Sequence, residues 1–207
     1  MCTLQQLLVV TMASKKWLRK LKRRLRIIVQ AATYGALRAK ARMAQLLNMA
    51  HGISQKRAAF LEANFFEFSF KEQVPNRELF DSLTSPTELH YLAHIYNWDD
   101  GPEVLGWIIN SDYCDRGTAA MVFWRSQPDF YTEYNQESEM SLQDGVLPLL
   151  QQIMQNWERG FYQRERIAYN RSEDPSAEKL YENNPRRKWR IPAYLLAPTK
   201  GKQFLFA

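Results

Sequence analysis

The chain has 207 residues, of which 45% are hydrophobic and 13% aromatic, so it can form one packed core or two very small domains. Its eight glycines and nine prolines exclude a fibrous or low-complexity protein. Cys2 and Cys114 are too far apart in sequence for a disulfide framework, so a reducing, cytoplasmic location is predicted.

The net charge of +6 conceals three segments of different charge. Residues 1–61 contain thirteen Lys or Arg and no Asp or Glu, residues 62–160 contain five basic and seventeen acidic residues, and residues 161–207 contain ten basic and five acidic residues. We therefore predict a basic helical arm at residues 1–61, an acidic helical core domain at 62–169, and a polar connection with a C-terminal segment at 170–207.

The arm is predicted to contain a long helix, because apolar residues recur at helical spacing from Trp17 to Ala32. Met12 is an alternative start, so residues 1–11 are interpreted either as part of the protein or as an over-called extension. The remaining faces of the helix carry eight cations within twelve residues: Lys15, Lys16, Arg19, Lys20, Lys22, Arg23, Arg24 and Arg26.

A helix with so many cations repels itself unless something neutralises it. Residues 15–42 are therefore candidates for binding a nucleic-acid backbone or an anionic membrane, or for packing on the acidic domain. A solvated tail is the further alternative.

Short helices are predicted between residues 85 and 125. Ser85 and Pro86 begin the first, Pro102 opens the second after a turn, and Thr118 caps the third. Their inward faces predict one buried aromatic cluster of Trp98, Trp107, Phe123 and Trp124.

The flanking segments are less regular. Residues 64–70 alternate like a strand but also suit an aromatic-rich helix end, and a longer helix is predicted over residues 141–164. A Pro-Thr-Lys-Gly turn predicts a small C-terminal hairpin. The fold class is mainly α: a compact stack of short helices with a long basic N-terminal helix.

The stretch 89–124 resembles an uncharacterised bacterial helical domain family, centred roughly on residues 85–130. The resemblance rests on Asn97-Trp98-Asp99-Asp100-Gly101, Cys114-Asp115, Gly117-Thr118-Ala119 and Phe123-Trp124. It covers less than half of the chain and implies a helical fold, a bacterial origin and no established activity. Small domains of this sort often lie beside toxin genes as immunity proteins, which implies such a role here by association.

Few residues suggest chemistry. His90 and His94 are four apart on a predicted helix, so both rings could face one metal ion with Asp99 nearby, but they equally suit an ordinary half-buried helix face. No Glu follows His90, as a hydrolytic zinc helix requires. We expect no enzyme, metal or cofactor, with metal-dependent catalysis at these three residues as the alternative.

The remaining polar residues have structural interpretations. We expect Asp99, Asp100 and Asp115 to cap helix N-termini, where a carboxylate also meets the positive end of the helix dipole. Cys114 is expected to be a small buried hydrophobic residue.

The acidic domain favours a protein-binding module whose surface covers a basic effector, such as a toxin or nuclease, because charge complementarity gives fast and exclusive association. The candidate binding residues are Asp99, Asp100, Glu103, Asp112, Asp115, Glu133, Glu137 and Glu139. The alternative function is binding of nucleic acid or an anionic membrane by the basic arm.

Overall fold

The computed structural model describes residues 53–141, 143–180 and 184–203. These residues belong to one compact unit, which spans residues 48–206. The cations predicted to form the basic helical arm lie outside the described residues: Lys15, Lys16, Arg19, Lys20, Lys22, Arg23, Arg24 and Arg26.

The described part of the chain is mainly α-helical, which confirms the predicted fold class. The helices are α1 (Gln55–Phe65), α2 (Arg77–Asp81), α3 (Pro86–Ile95), α4 (Glu103–Ile109), α5 (Arg116–Arg125), α6 (Pro128–Tyr131), α7 (Val146–Glu158) and α8 (Ala193–Leu196). Single turns of 3-10 helix occur at Ser69–Lys71, Trp98–Asp100 and Glu137–Glu139. None of the helices described is both long and apolar enough to cross a membrane.

Side-chain caps begin several of these helices. Ser54 accepts a hydrogen bond from the Arg57 N–H at 3.3 Å. Ser85 begins α3, as predicted, and accepts a hydrogen bond from the Glu88 N–H at 3.5 Å. The predicted cap at Thr118 is wrong. Asp115 caps α5 instead, and Thr118 is buried within the first turn of that helix.

Helix α5 is the centre of the core, because every residue from Gly117 to Trp124 is buried. A helix that is apolar on all sides must be surrounded, and α5 packs against α3, α4, α6, α7 and the first strand described below. Phe123 and Trp124 are fully buried, as predicted. Trp98 and Trp107 are half-buried at the edge of the same core, with Trp107 packed on the ring of Phe80.

The C-terminal segment contributes one strand. Strand β2 (Lys202–Gln203) pairs in parallel with β1 (Ile167–Ala168). The residues that would complete the predicted hairpin after Gln203 lie outside the described part of the chain. Parallel pairing needs a long crossover, which the intervening segment of more than thirty residues supplies.

The predicted boundary after residue 61 falls inside α1. Ile53, Ala58 and Leu61 are buried in the main core, and Arg57 forms an ion pair of 2.6 Å with Glu88 of α3. The residues just before the boundary are therefore part of the helical domain.

The aromatic segment at residues 64–70 is a helix end rather than a strand, since α1 continues to Phe65 and a 3-10 turn follows. Helix α7 is shorter than predicted. It begins after Gly145, whose φ is +76°, and ends before Gly160, whose φ is +68°; both conformations favour glycine and interrupt a helix.

Candidate protein-binding surface

The carboxylates predicted to form one acidic surface lie in four different environments. Asp115 is buried, Asp99, Asp100 and Glu103 surround one loop, Asp112 lies at the opposite end of α4 from Glu103, and the fourth group lies under a C-terminal segment. That fourth group is Glu133, Glu137 and Glu139.

Asp115 is not a surface residue, which corrects its assignment as a binding residue. Its side chain is completely buried and accepts hydrogen bonds from three backbone N–H groups: Gly117 at 3.0 Å, Arg166 at 2.8 Å and Ile167 at 3.3 Å. It therefore caps α5, as predicted, and also holds β1 against the start of that helix. Neighbouring Cys114 is buried as well, and burial raises the pKa of its thiol.

Asp99 and Asp100 do not cap α4, contrary to prediction. The residue before α4 is Pro102, which makes no side-chain cap. Asp100 instead accepts hydrogen bonds at 3.2 Å from the backbone N–H groups of Phe68 and Ser69. Because these donors belong to the loop between α1 and α2, Asp100 joins that loop to the turn at residues 97–101.

Glu133, Glu137 and Glu139 do not form the open acidic cluster expected from the sequence. Glu133 pairs with Arg186 at 3.1 Å, and Glu139 pairs with Lys188 at 2.6 Å. Glu137 accepts a hydrogen bond from the backbone N–H of Gly145 at 2.5 Å. The basic C-terminal segment therefore neutralises part of the acidic domain within the same chain.

Asp112 is exposed, and one cation lies beside its backbone. Arg164 donates a hydrogen bond to the backbone carbonyl of Asp112, and its guanidinium lies 5.2 Å from the centre of the Tyr113 ring. Asp112 is separated from Glu103 by the length of α4.

The loop that Asp100 anchors carries several carboxylates close together in the chain. Glu67 and Glu72 lie on the loop, and Asp99 and Glu103 lie on the adjoining turn and helix start. Among the described residues, none of these four carboxylates has an ion-pair partner. One cation, Lys71, lies in the same loop and donates its ammonium N–H to the carbonyl of Phe66 at 2.9 Å.

Two apolar side chains project from the same loop. Phe70 is 72% exposed and Val74 is 86% exposed, the largest exposed fractions among the bulky apolar residues described. Exposed apolar residues surrounded by polar ones are typical of protein-binding sites. We call Phe70 and Val74, with the carboxylates of Glu67, Glu72, Asp99 and Glu103, the acidic loop surface.

Sequence reasoning missed four members of this surface: Glu67, Phe70, Glu72 and Val74. The available signal was the aromatic run at residues 64–70, which continues past the end of α1. Phe65 and Phe68 of this run are buried, whereas Phe70 is exposed. The loop is held by the contact between Asp100 and Phe68, thirty-two residues apart, and local patterns do not encode such a contact.

The histidines considered for a metal site have separate environments. His90 Nδ1 lies 3.0 Å from the Thr118 hydroxyl, whereas His94 Nδ1 accepts a hydrogen bond from the Arg125 guanidinium at 3.2 Å. Burial, followed by the positive charge of Arg125, lowers the pKa of His94 to about 3. The described residues contain no group of three or more His, Cys, Asp or Glu side chains arranged to hold a metal ion.

Two adjoining clefts border the C-terminal segment, with volumes of about 810 and 520 Å³, and both include Leu180, Arg187 and Leu196. Asp174 lines the larger one and forms a two-point ion pair with Arg125, at 2.7 and 3.1 Å. Arg125 also donates a hydrogen bond to the backbone carbonyl of His94 at 3.1 Å. Arg125 and Asp174 therefore hold the C-terminal segment against α3 and α5.

Comparisons with known proteins bear on the central helices alone. No curated protein and no solved structure matches the chain. The matching region begins just before α3 and ends with α7, so it contains the central helix α5 and the turn with Asp99 and Asp100 but not the loop with Phe70. Over residues 84–158, the chain matches the model of an uncharacterised family described as a domain of unknown function, DUF4274.

Proposed function

We propose that the protein is an interaction module that binds a basic partner protein through the acidic loop surface. The observation that carries the proposal is the combination of two exposed apolar side chains, Phe70 and Val74, with four carboxylates that have no ion-pair partner among the described residues. A basic toxin or nuclease effector, neutralised by this protein acting as its immunity protein, is the partner class that fits this chemistry.

The two kinds of residue have different tasks in such a complex. Unneutralised carboxylates attract a basic partner over a distance of about one Debye length, roughly 8 Å at physiological ionic strength, and raise the association rate. Phe70 is large, aromatic and exposed, the properties of a residue that becomes an anchor when a partner covers it. Asp100 keeps the loop in place, so the anchor is presented by a fixed backbone.

The test measures binding kinetics to the purified product of the neighbouring gene. Changing Glu67 and Glu72 to Lys should lower the association rate about tenfold at low salt, with a smaller effect at high salt where charges are screened. Changing Phe70 to Ala should mainly raise the dissociation rate and weaken affinity about tenfold or more.

Asp112→Lys provides the matched control for Glu72→Lys alone, because each substitution reverses one exposed carboxylate and Asp112 lies at the other end of α4. The association rate of Asp112→Lys should stay within about twofold of the wild-type value, whereas Glu72→Lys should lower it further. Equal effects from these two single substitutions would mean that only net charge matters, and would contradict a defined surface. A wild-type protein that does not bind the neighbouring gene product would contradict the immunity role.

The basic arm supports a second candidate function, binding of nucleic acid or an anionic membrane. Its support is the sequence alone, with thirteen cations and no anion in residues 1–61. Binding of this kind neutralises phosphates and so weakens steeply with salt. If the full chain binds RNA, DNA or anionic vesicles and loses that binding when residues 1–50 are removed, while the neighbouring gene product is not bound, the second function replaces the first.

A further inference from the structure

The second acidic face of the domain is covered by residues 184–189, which we call the basic strap. Three consecutive cations of the strap each pair with a different carboxylate: Arg186 with Glu133, Arg187 with Asp129 and Lys188 with Glu139. The carboxylates lie on α6 and on the segment that follows it.

Main-chain groups fix the strap as well. The backbone N–H groups of Lys188 and Trp189 both donate to the carbonyl of Thr132, at 2.7 and 3.4 Å. The Trp189 indole N–H donates to the carbonyl of Tyr134 at 3.0 Å. The strap contains no helix or strand, so its contacts resemble those by which a domain binds a short peptide.

Burial is graded across these contacts as it is across an interface between two proteins. The central side chain, Asp129, is only 3% exposed, and its partner Arg187 is 21% exposed. The outer cations Arg186 and Lys188 are 77% and 45% exposed. Buried central pairs dominate the energy of such interfaces, whereas exposed outer pairs contribute little each.

We propose that the acidic face of Asp129, Glu133 and Glu139 is a recognition site for short basic segments followed by an aromatic residue, and that the strap occupies this site in cis. A partner segment of the type Arg-Arg-Lys-Trp makes the same ion pairs and the same carbonyl contacts, so replacement of the strap restores each contact that it breaks. The site is distinct from the acidic loop surface and does not depend on the function proposed for it.

Because the strap belongs to the same chain as the site, a free peptide must compete with it for binding. A tethered segment acts at an effective concentration on the order of millimolar, so a free peptide competes poorly while the strap is intact. Weakening the strap at its exposed ends should open the site, because Arg187 and Trp189 are left to hold the segment without two of its three ion pairs.

The experiment measures binding of a fluorescent peptide with the sequence of residues 184–190, Asn-Pro-Arg-Arg-Lys-Trp-Arg, to the full-length protein. The variant Arg186→Ala/Lys188→Ala should bind this peptide about three- to tenfold more tightly than the wild type. Adding Glu133→Gln and Glu139→Gln to that variant should remove the gain, and replacing the tryptophan of the peptide with alanine should reduce it.

The matched control is Lys179→Ala/Arg190→Ala, which removes two exposed cations that lack ion pairs within the described part of the chain. It changes the net charge equally and should bind the peptide like the wild type. A control that gains as much as the strap variant, or a strap variant that binds no better than the wild type, overturns the proposal.

Hydrogen exchange of the wild-type protein gives a second measurement that does not rely on a variant. Millimolar peptide should accelerate exchange at the Lys188 and Trp189 amides at least tenfold and leave the amides of α5 unchanged. Unchanged exchange at both strap amides would overturn displacement. Phe70→Ala should alter neither measurement, so failure of the acidic loop surface and failure of this site are distinguishable.

Discussion

At the scale of single residues, Asp115 combines a helix cap with a contact between distant segments. Its Oδ1 accepts the N–H groups of Gly117 and Ile167, and its Oδ2 accepts the N–H group of Arg166. Burial raises the pKa of this carboxyl, while the three donors favour its charged form. Asp115 therefore uses both carboxylate oxygens as acceptors, whereas capping α5 alone uses one.

The first prediction follows from this geometry. Asp115→Asn places an amide NH₂ against a backbone N–H donor in a buried site, so it should lower the free energy of unfolding by about 1–3 kcal/mol. Urea denaturation measures the loss. The control Asp112→Asn, at an exposed position, should change stability by less than about 0.5 kcal/mol. Equal stability of the two variants would show that Asp115 acts only as an exchangeable cap.

The second prediction concerns pH. The pKa of His94 is about 3 in the folded protein and about 6.5 when unfolded, so between these values only the unfolded chain binds the proton. The free energy of unfolding should therefore fall as the pH falls from 6.5, by up to about 1.4 kcal/mol per unit. The pKa of Asp174 is lowered by Arg125 despite the burial of its carboxyl group. Asp174 therefore changes the free energy of unfolding only at pH values below the ordinary pKa range of a carboxyl group.

Denaturation at pH 7, 6 and 5 measures this dependence in the window where His94 gains its proton in the unfolded chain alone, a window that lies above the titration of Asp174. His94→Gln keeps an acceptor for Arg125 but has no proton to gain, so its stability should depend less on pH across that window. A variant with the same slope as the wild type would place the titrating group elsewhere.

At the scale of elements, β1 packs unusually closely on α5. A Cβ atom built on Gly117 would lie 2.2 Å from the backbone carbonyl oxygen of Ile167, closer than any real Cβ contact. Only glycine at this position lets the strand approach the helix and deliver its N–H groups to Asp115.

The third prediction compares two helical glycines. Gly117→Ala should destabilise the protein by about 2 kcal/mol or more, because the obstructing atom belongs to the backbone and cannot rotate away. Gly106→Ala, in α4, has no atom within 4 Å of the new Cβ and should stabilise by about 0.5–1 kcal/mol through helix propensity. Thermal melts of the pair measure both signs. Equal shifts in the same direction would contradict the packing of β1 on α5.

The elements also show what the sequence could predict. The caps at Ser54 and Ser85 were predictable because donor and acceptor lie three residues apart. The second task of Asp115 was not, because Arg166 and Ile167 are about fifty residues away. For the same reason the sequence showed an acidic cluster at residues 133–139 but not the strap that neutralises two of its members.

At the scale of the whole molecule, segregation of charge along the sequence does not mean segregation in space. The basic segment after residue 160 contributes Arg186, Arg187 and Lys188 to carboxylates of the acidic segment. The acidic loop surface stays open after this internal neutralisation. The candidate site is therefore smaller and better defined than the negative charge of residues 62–160 suggests.

Burial and ion pairing place the N-terminal limit of the helical domain before residue 62. A chain that begins at residue 62 lacks the buried side chains of Ile53, Ala58 and Leu61 and the Arg57–Glu88 ion pair, whereas a chain that begins at residue 51 keeps them all. Each large buried aliphatic side chain contributes about 2–5 kcal/mol, so the shorter chain should be less stable by at least about 4 kcal/mol. Urea unfolding followed by tryptophan fluorescence compares the two truncated chains directly. If they unfold at the same urea concentration, α1 adds nothing to the core, and the division of the chain returns to residue 61, where the charge changes sign.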